Sequence, residues 1–135
     1  MPRLRVETVH GPAKRKICKQ MGAFNKRACG NDYRTMAITL RVGDEIVGGL
    51  IGETYWGWLF IDSLWIAEKL RRKNFGKALI EKAESEARKR GVRNAFVNSF
   101  SFQAPGFYRK LGYREFGKLT DCPKGHTRHW LQKAL

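Results

Sequence analysis

Cysteine is scarce in this sequence, with three residues in 135. Cys18, Cys29 and Cys122 are odd in number and widely spaced, which argues against a disulfide framework and against a zinc site built from paired cysteines. His126 and His129 lie near Cys122, but no fourth ligand stands at a suitable spacing. We therefore expect three reduced thiols and no metal.

Long hydrophobic runs are also absent. No segment of about 18 apolar residues is available to cross a bilayer, and residues 1–5 lack the apolar run of a secretory signal. Hydrophobic residues still make up 42% of the chain and aromatic residues 12%, which excludes a disordered basic tail and suffices for a core. We expect one cytoplasmic domain that covers residues 1–135 and does not associate with membranes.

Acidic residues are few: 12 Asp and Glu stand against 27 Lys and Arg, for a net charge of +15. The charge is uneven, because residues 1–41 carry +8, residues 42–66 carry −4 and residues 67–135 carry +11. Such a balance predicts an anionic ligand or a polyanionic partner. The acidic middle is also the most apolar part of the chain, so the carboxylates of Glu53 and Asp62 lie close to a prospective core.

Alternation and helical spacing predict the element order β-α-β-β-β-α-β-α-β-β. Ile17, Met21 and Phe24 form the apolar stripe of the first helix, which begins near residue 13. The strand at 58–66 is apolar on both alternating faces, which predicts cover on both sides. The predicted strands lie at residues 4–9, 35–42, 46–54, 58–66, 94–100, 113–118 and 127–131, and the later helices at 75–90 and 104–111.

Five Lys and Arg side chains crowd residues 69–77, between the strand at 58–66 and the helix at 75–90. Unpaired amides at the start of a helix bind anions, and a glycine such as Gly76 lets the backbone approach a phosphate closely. A solvated basic loop capped by Asn74 is the alternative. The strand before the loop and the helix after it favour the phosphate site.

Residues 71–78 read Arg-Arg-Lys-Asn-Phe-Gly-Lys-Ala, and residues 104–113 read Ala-Pro-Gly-Phe-Tyr-Arg-Lys-Leu-Gly-Tyr. The first segment resembles the (Gln/Arg)-x-x-Gly-x-(Gly/Ala) pyrophosphate loop of the GNAT superfamily of acyl-CoA-dependent N-acyltransferases. Asn74 replaces its first glycine, which Asn partly imitates because it tolerates left-handed backbone angles. The second resembles the Ala-x-x-(Leu/Phe)-Tyr-x-x-x-Gly-(Tyr/Phe) segment of the same enzymes. Family members often carry Asn three residues before that alanine, where this chain has Ser101.

The resemblance implies an α/β fold: a GNAT-like mixed central sheet of about seven strands, flanked by helices and splayed open between the strands at 58–66 and 94–100. Acetyl-CoA would be wedged into this opening, with its pantetheine arm paired to main-chain groups of the first strand and its pyrophosphate on amides of residues 72–77. A backbone amide in the splayed strand would polarise the thioester carbonyl. The residues expected to bind the cofactor are Leu64, Trp65, Ile66, Arg71, Arg72, Lys73, Asn74, Phe75, Gly76, Lys77 and Ser101.

Acetyl transfer to an amine needs a neutral nucleophile, a group that takes its proton and a donor to the leaving thiolate. The resemblance assigns the donor role to Tyr108, whose alternative is a packed aromatic with a solvated hydroxyl. Asp62 and Glu53, on neighbouring strands, compete for the role of base, with a slight preference for Asp62; either could instead be a hydrogen-bonded structural carboxylate. Aromatic residues near the hairpin could face an amine by cation–π attraction, although packing is their usual role: Tyr55, Trp56, Trp58, Phe60 and Trp65.

We therefore predict an N-acetyltransferase that passes an acetyl group from acetyl-CoA to an amine on a small molecule or a protein. Two alternatives remain: a basic nucleic-acid-binding module, suggested by the charge and the aromatic residues, and a GNAT fold that binds CoA without catalysis, suggested by Asn74 and Ser101. The densest basic loop already has the context of a phosphate site, and no helix-turn-helix, zinc-finger or ribonucleoprotein motif is present. The sequence leaves open the acceptor and whether two chains pair as a homodimer through edge strands.

Overall fold

The computed structural model describes residues 1–135, which form two compact units, residues 1–31 and residues 32–135. Residues 1–10 form neither helix nor strand. The predicted strand at 4–9 is therefore wrong. The alternation there spans few residues, and an extended segment becomes a strand only when a neighbouring strand pairs with it.

Helix α1 (Gly11–Cys29) accounts for most of the first unit. Pro12 lies in its first turn, where a missing amide hydrogen matters least. The helix ends at Gly30, whose φ of 74° suits glycine and whose amide donates to the Lys26 carbonyl. None of the residues of α1 is buried within this unit.

The elements of the second unit, in chain order, are β1 (Arg34–Val42), β2 (Glu45–Tyr55), β3 (Trp58–Ile66), a 3-10 turn (Glu68–Leu70), α2 (Phe75–Lys89), β4 (Asn94–Phe100), α3 (Pro105–Lys110), β5 (Arg114–Thr120) and β6 (Thr127–Ala134). The strands form one mixed sheet in the order β1-β2-β3-β4-β6-β5. Only β3 and β4 are parallel, with α2 in the crossover between them. The predicted α/β class is confirmed, with one strand fewer than expected because residues 4–9 form none.

Positive φ angles mark the tight turns of the second unit. Trp56 (φ 48°) and Gly57 (φ 83°) join β2 to β3, with the backbone typical of two-residue hairpins. The Trp56 amide donates to the Asp32 carboxylate at 3.0 Å, which ties this turn to the segment before β1. At the end of α2, Arg90 caps the helix and Gly91 (φ 78°) redirects the chain towards β4.

Both helices of the second unit pack on one face of the sheet. α2 lies on β1, β2 and β3, whereas α3 lies against β4 and β6. Their buried residues form one hydrophobic cluster with the inward side chains of the strands. Each large side chain of such a cluster stabilises the fold by roughly 1.5–3 kcal/mol. The most deeply buried are Leu50, Leu59, Ile61, Ile80, Val97 and Leu131.

Strand β3 is buried on one face, not on both as its composition predicted. Leu59 and Ile61 face the helices and are fully buried, whereas Trp58 and Phe60 on the other face are only partly buried. The reason is that both helices of this unit cover the same face of the sheet. Composition alone does not distinguish an apolar face that is covered by the same unit from one that is not.

Candidate active site

The sheet opens between its two parallel strands. β3 and β4 pair from Trp58 opposite Asn94 to Ile61 opposite Val97, and their pairing ends there. Beyond that point β3 stays paired with β2, and β4 stays paired with β6. A V-shaped cleft therefore begins towards the carboxyl ends of both strands, where ligands of α/β sheets commonly bind. The predicted splay of these strands is confirmed.

Asp62 stands where the cleft opens. The register between β2 and β3 skips from Ser63 to Ile61, so Asp62 is the extra residue of a bulge. A bulge bends its strand and re-aims a side chain, and such irregularities are frequent beside active sites. The bulge thus explains why the two parallel strands separate at this position and not further along.

Helix α3 holds Tyr108 against the cleft. Before the helix, the Ala104 amide donates to the buried hydroxyl of Ser99 at 3.2 Å, and Pro105 opens the first turn. After the helix, the Tyr113 amide donates to the Tyr108 carbonyl at 3.0 Å. Tyr108 is 7% exposed, and burial raises the pKa of its phenol to about 12. Its hydroxyl therefore keeps its proton at neutral pH.

The mouth of the cleft forms a cavity of about 320 Å³. It brings together the carboxylate of Asp62, from β3, and the phenol of Tyr108, from α3. A carboxylate and a protonated phenol are the two kinds of group that proton transfer in acyl transfer requires. The full lining is Asp62, Ser63, Leu64, Val97, Asn98, Ser99, Gln103, Ala104 and Tyr108.

A second cavity, of about 540 Å³, shares Leu64 and Ala104 with the first. It runs from the end of β3 to the start of α2, and four of its lining side chains are basic. An elongated ligand with phosphates at one end and a reactive group at the other matches the two cavities in sequence. The lining is Leu64, Ile66, Leu70, Arg71, Arg72, Asn74, Phe75, Gly76, Lys77, Ala104, Phe107 and Lys110.

The loop before α2 has the backbone shape of an anion site. Arg72 (φ 61°) and Asn74 (φ 67°) are both left-handed, and turns of this kind direct successive amides towards one anion. Asn74 thus adopts the backbone angle expected of the glycine it replaces, and its carbonyl accepts the Ala78 amide of the first helical turn. Arg71 Nε donates to the Ile66 carbonyl at 2.9 Å, which holds the loop against the end of β3.

At Gly76, the start of α2 lies close to the Phe107 ring of α3, beside the second cavity. A Cβ atom there would lie 3.1 Å from the ring of Phe107 and 3.5 Å from Ile66 Cδ1. The glycine is therefore required for packing as well as for access to the helix amides. A larger side chain would displace the Phe107 ring, which lines the same cavity.

Eight of the predicted cofactor residues line the second cavity, and three do not. Trp65 is 53% exposed and Lys73 is also exposed, outside the lining of either cavity. The Ser101 hydroxyl is engaged elsewhere, because it accepts the Thr127 amide at 3.1 Å and bonds His126 Nδ1 at 3.2 Å. The structure therefore places Ser101 in a loop contact and not at the cleft.

The two predicted carboxylates occupy different places. Asp62 lines the first cavity, whereas Glu53 lines neither cavity and accepts a hydrogen bond from the Tyr33 hydroxyl. This hydrogen bond is the main cause that raises the pKa of Tyr33. Asp62 is exposed, so the expected position near the core is wrong for this residue, since the bulge places it at the mouth of the cleft.

Four polar residues that line the first cavity were not predicted from the sequence. Ser99 carries a usable signal, because it follows Ala95 and Val97 in the inward series of β4 and marks where apolar packing stops. Gln103 shapes the next turn, since its side-chain oxygen accepts the Phe100 amide at 2.9 Å. The four residues are Ser63, Asn98, Ser99 and Gln103.

The histidines near the carboxyl end have protein partners. His126 contacts Ser101, and His129 Nδ1 pairs with the Glu115 carboxylate. No group of three or more His, Cys, Asp and Glu side chains is arranged to hold a metal ion. None of the helices is both long enough and apolar enough to cross a membrane.

Comparisons with known proteins agree with this geometry. Residues 9–113 match the family described as the Acetyltransferase (GNAT) family. The chain is 42% identical to blasticidin-S acetyltransferase of Streptomyces morookaense over 92 residues, which cover 67% of this chain and 68% of that protein. A 1.9 Å crystal structure of an acetyltransferase from Bacillus cereus ATCC 14579 matches with 33% identity and a TM-score of 0.88 over 98% of both chains. The crystal structure of aminoglycoside 6′-N-acetyltransferase complexed with coenzyme A shares the fold, at 19% identity and a TM-score of 0.67 over 74% of this chain and 72% of that chain.

The splayed sheet and its two cavities, together with the match of residues 9–113, identify an acyl-CoA-dependent N-acyltransferase. The chain belongs to the GNAT family of acetyltransferases. Its acyl donor is acetyl-CoA, and it transfers the acetyl group to an amine. The family resemblance of residues 71–78 and 104–113 is thereby confirmed.

Proposed function

We propose that Asp62 and Tyr108 are the catalytic residues of the acetyl transfer, as general base and general acid. The observation that supports this assignment is their presence in one cavity at the point where β3 and β4 separate. Glu53, the other candidate base, lies outside both cavities and is bonded to Tyr33. Asp62 is therefore the base that the geometry favours.

The reaction requires three proton transfers around one nucleophilic attack: two protons leave the nitrogen and one reaches the sulfur. Asp62 takes a proton from the acceptor ammonium, directly or through a water, and leaves a neutral nitrogen. The nitrogen forms a bond to the thioester carbonyl carbon, and a backbone amide of β3 stabilises the negative charge on the oxygen. As the carbon–sulfur bond breaks, Tyr108 donates its proton to the CoA thiolate, and the acylated nitrogen releases its second proton to solvent. The products are an acetamide and free CoA, and solvent restores the proton of Tyr108 and removes the one from Asp62.

The second cavity is proposed to hold the donor. The left-handed turns at Arg72 and Asn74 and the start of α2 supply amides for the pyrophosphate. The side chains of Arg71 and Lys77 add positive charge within the same lining. The pantetheine arm then extends past Leu64, which both cavities share, and brings the thioester to the first cavity.

We propose a small cationic amine as the acceptor. A cavity of about 320 Å³ is at the lower end of the range for small-molecule sites. Residues 42–66, which include Asp62, carry a charge of −4 and no Lys or Arg, and this charge attracts an ammonium group. A relative at 42% identity is named blasticidin-S acetyltransferase, which supports a small-molecule acceptor for this chain.

We also propose that the protein works in the cytoplasm and that two copies associate. The three cysteines are free thiols, as is usual for proteins of reducing compartments. The edge strands β1 and β5 each present backbone groups that no neighbouring strand of the sheet pairs with, which supports association of two copies.

Steady-state assays with acetyl-CoA and a panel of cationic small amines test the assignment of the base. Asp62→Asn keeps the size of the side chain and removes the proton acceptor, so we expect kcat/KM for the amine to fall by about 10²-fold or more. Glu53→Gln is the matched control on the neighbouring strand and is expected to leave kcat/KM unchanged. Full turnover in Asp62→Asn contradicts the base role, and an equal loss in both variants assigns the effect to the general acidic charge.

A further inference from the structure

Asn98 stands across the opening of the sheet from Asp62. The pairing of β3 with β4 ends at Ile61 opposite Val97, so Asp62 and Asn98 are the first residues beyond it on the two strands. Both line the first cavity. The backbone of Asn98 stays paired with Trp130 of β6, so this wall of the cavity keeps the geometry of the sheet. One wall therefore presents a carboxylate and the other wall presents a carboxamide.

Arg128 holds the side chain of Asn98 in one orientation. Arg128 Nε donates to Asn98 Oδ1 at 2.8 Å. A guanidinium only donates, so this contact assigns the oxygen and the nitrogen of the Asn98 carboxamide. The nitrogen lies on the other side of the amide carbon, away from Arg128, and no protein acceptor engages its two hydrogens. Asn98 therefore offers hydrogen-bond donors at the first cavity.

The guanidinium of Arg128 is itself fixed by two aromatic rings. It lies 4.7 Å from the ring centroid of Trp130 and 5.1 Å from that of Phe100, which are cation–π contacts. No carboxylate pairs with Arg128. Its positive charge therefore polarises the carboxamide of Asn98 and strengthens the N–H donors at the far end of that group. A polar group supported in this way is suited to recognition.

The other polar residues of the first cavity are less suited to this role. Ser99 and Gln103 each accept a main-chain amide at the turn into α3, so they shape the chain there. Ser63 and Gln103 are exposed, whereas Asn98 is half-buried. A hydrogen bond discriminates better between ligands where less water competes for it.

The two walls together require two groups on one ligand. Asp62 accepts hydrogen bonds and attracts a cation, whereas Asn98 donates hydrogen bonds and has the charge of Arg128 behind it. A ligand with an ammonium alone displaces water from Asn98 without replacing its hydrogen bonds, which costs binding free energy. A ligand that also carries an oxygen acceptor satisfies both walls.

We propose that the acceptor carries a carboxylate or carbonyl oxygen besides its amine, and that this oxygen accepts a hydrogen bond from Asn98. Asn98 is then a residue that determines specificity, and Arg128 is the residue that positions it. The inference rests on the proposed placement of the acceptor ammonium beside Asp62 and adds a second point of recognition. Sites built to hydrogen-bond a substrate group discriminate against analogues that lack it.

Three amines of the same size test this proposal in steady-state assays with acetyl-CoA. β-Alanine carries a carboxylate, β-alaninamide carries a neutral carboxamide, and 3-methylbutylamine carries two methyl groups at the same place. We expect kcat/KM for at least one of the two oxygen-bearing amines to exceed that for 3-methylbutylamine by about tenfold or more, the effect of one hydrogen bond. The better of the two shows whether the recognised oxygen is charged. No preference over 3-methylbutylamine contradicts the proposal.

Variants assign this preference to its residues. We expect Asn98→Leu, which keeps the size of the side chain and removes the donors, to reduce the preference to about one. Arg128→Met keeps a long side chain over the rings and frees the carboxamide to rotate, so it should reduce the preference in part. Asn94→Leu is the matched control at the closed end of β4, outside the lining of both cavities, and is expected to keep the preference. A purely structural role of Asn98 or Arg128 lowers kcat/KM for all three amines equally, and that result overturns the proposal.

Nuclear magnetic resonance of the unmodified protein provides a measurement that needs neither turnover nor a variant. At 15.6 kDa the side-chain amide signals of Asn98 are assignable by through-bond experiments. With CoA bound, we expect β-alanine or β-alaninamide to shift these signals and 3-methylbutylamine to leave them in place. Equal shifts with all three amines, or no shift with either oxygen-bearing amine, contradict the proposal.

The catalytic assignment fails in a different way. Loss of the base in Asp62→Asn lowers kcat/KM for all three amines and leaves their ratio unchanged, whereas Asn98→Leu changes the ratio. Full turnover in Asp62→Asn therefore contradicts the base role without removing the preference. A preference that survives in Asn98→Leu overturns the present inference even when Asp62→Asn is inactive.

Discussion

Tyr108 is the residue whose chemistry is most closely defined by its surroundings. It is buried at 7% exposure beside the cleft, and desolvation raises the pKa of its phenol to about 12. We expect Tyr108→Phe, which removes one oxygen and leaves the packing, to lower kcat by about 10²-fold while the Kd for acetyl-CoA stays the same. Assays of thiol release measure kcat, and calorimetric titration measures the Kd for acetyl-CoA. Unchanged turnover contradicts the acid role.

The raised pKa of Tyr108 sets the sign of a pH effect. A phenol donates only while it is protonated, so this donor is complete below its pKa of about 12 and is lost as the pH rises through that value. We therefore expect kcat of the unmodified enzyme to show no loss attributable to Tyr108 between about pH 7 and 10. A decline of kcat in that range that disappears in Tyr108→Phe is the result that contradicts the assignment.

Asn74 is a second residue with a specific backbone requirement. Its φ of 67° is left-handed, which glycine adopts freely, Asn tolerates and β-branched residues resist. We expect Asn74→Val to strain the loop by about 1–3 kcal/mol and to weaken acetyl-CoA binding, whereas the Asn74→Gly control keeps or improves it. Calorimetric Kd values decide the matter, and equal affinity of the Val and Gly variants would show that the loop angle is irrelevant to the donor.

At the scale of elements, one buried ion pair joins α2 to β6. Glu84 on α2 is 3% exposed, accepts the Tyr113 hydroxyl at 2.8 Å and pairs with Lys133 on β6 at 2.9 Å. Burial, more than the nearby carboxylate, raises the pKa of Tyr113. The three groups satisfy each other within the core of the second unit, so that loss of one leaves another without its partner.

We expect Lys133→Met to lower the free energy of unfolding by about 3 kcal/mol, because it leaves the buried Glu84 carboxylate without its counter-ion. The value is at the low end for buried pairs, since the Lys133 side chain is 24% exposed. Lys82→Met is the matched control: its exposed pair with Glu86 contributes less than about 1 kcal/mol. Urea denaturation measures both variants, and equal stabilities mean that the pair does not hold α2 to β6.

Most of the helices and strands were predicted from the sequence, because periodicity and end residues are properties of a short segment. The periodicity and the final glycine of residues 75–91 place α2 within one residue of its observed end. Strand 4–9 failed for the opposite reason, since pairing depends on a neighbour distant in sequence. The bulge at Asp62 depends on the register of two strands, and no pattern within either strand reports it.

The candidate site shows the same difference between residues with local sequence signals and residues whose setting depends on distant segments. The loop at 71–77 and the segment of Tyr108 were predicted because both are contiguous motifs. The setting of Ser101 could not be predicted locally, because its hydroxyl bonds His126 and Thr127, which come from a distant part of the chain. Asp62 and Glu53 could not be separated before the register of β2 and β3 was known.

At the scale of the whole molecule, the net charge is +15. Two groups of basic side chains contribute to it. Four basic side chains line the cavity assigned to the donor, and six cover helix α1. The first group matches the phosphates of CoA in the proposed donor site. A polyanion such as nucleic acid is therefore not required to account for this first group.

Pairing between β3 and β4 ends early, and we expect a donor bound at this place to stabilise the folded protein. In the proposed donor complex, the pantetheine arm lies where the ladder between these strands stops, so only the folded chain is expected to bind it. A ligand that binds only the folded state stabilises it by about 2.7 kcal/mol at a hundredfold excess over Kd. We therefore expect the protein to lose this protection against unfolding and proteolysis when acetyl-CoA runs low, so that its abundance falls with the supply of acetyl groups.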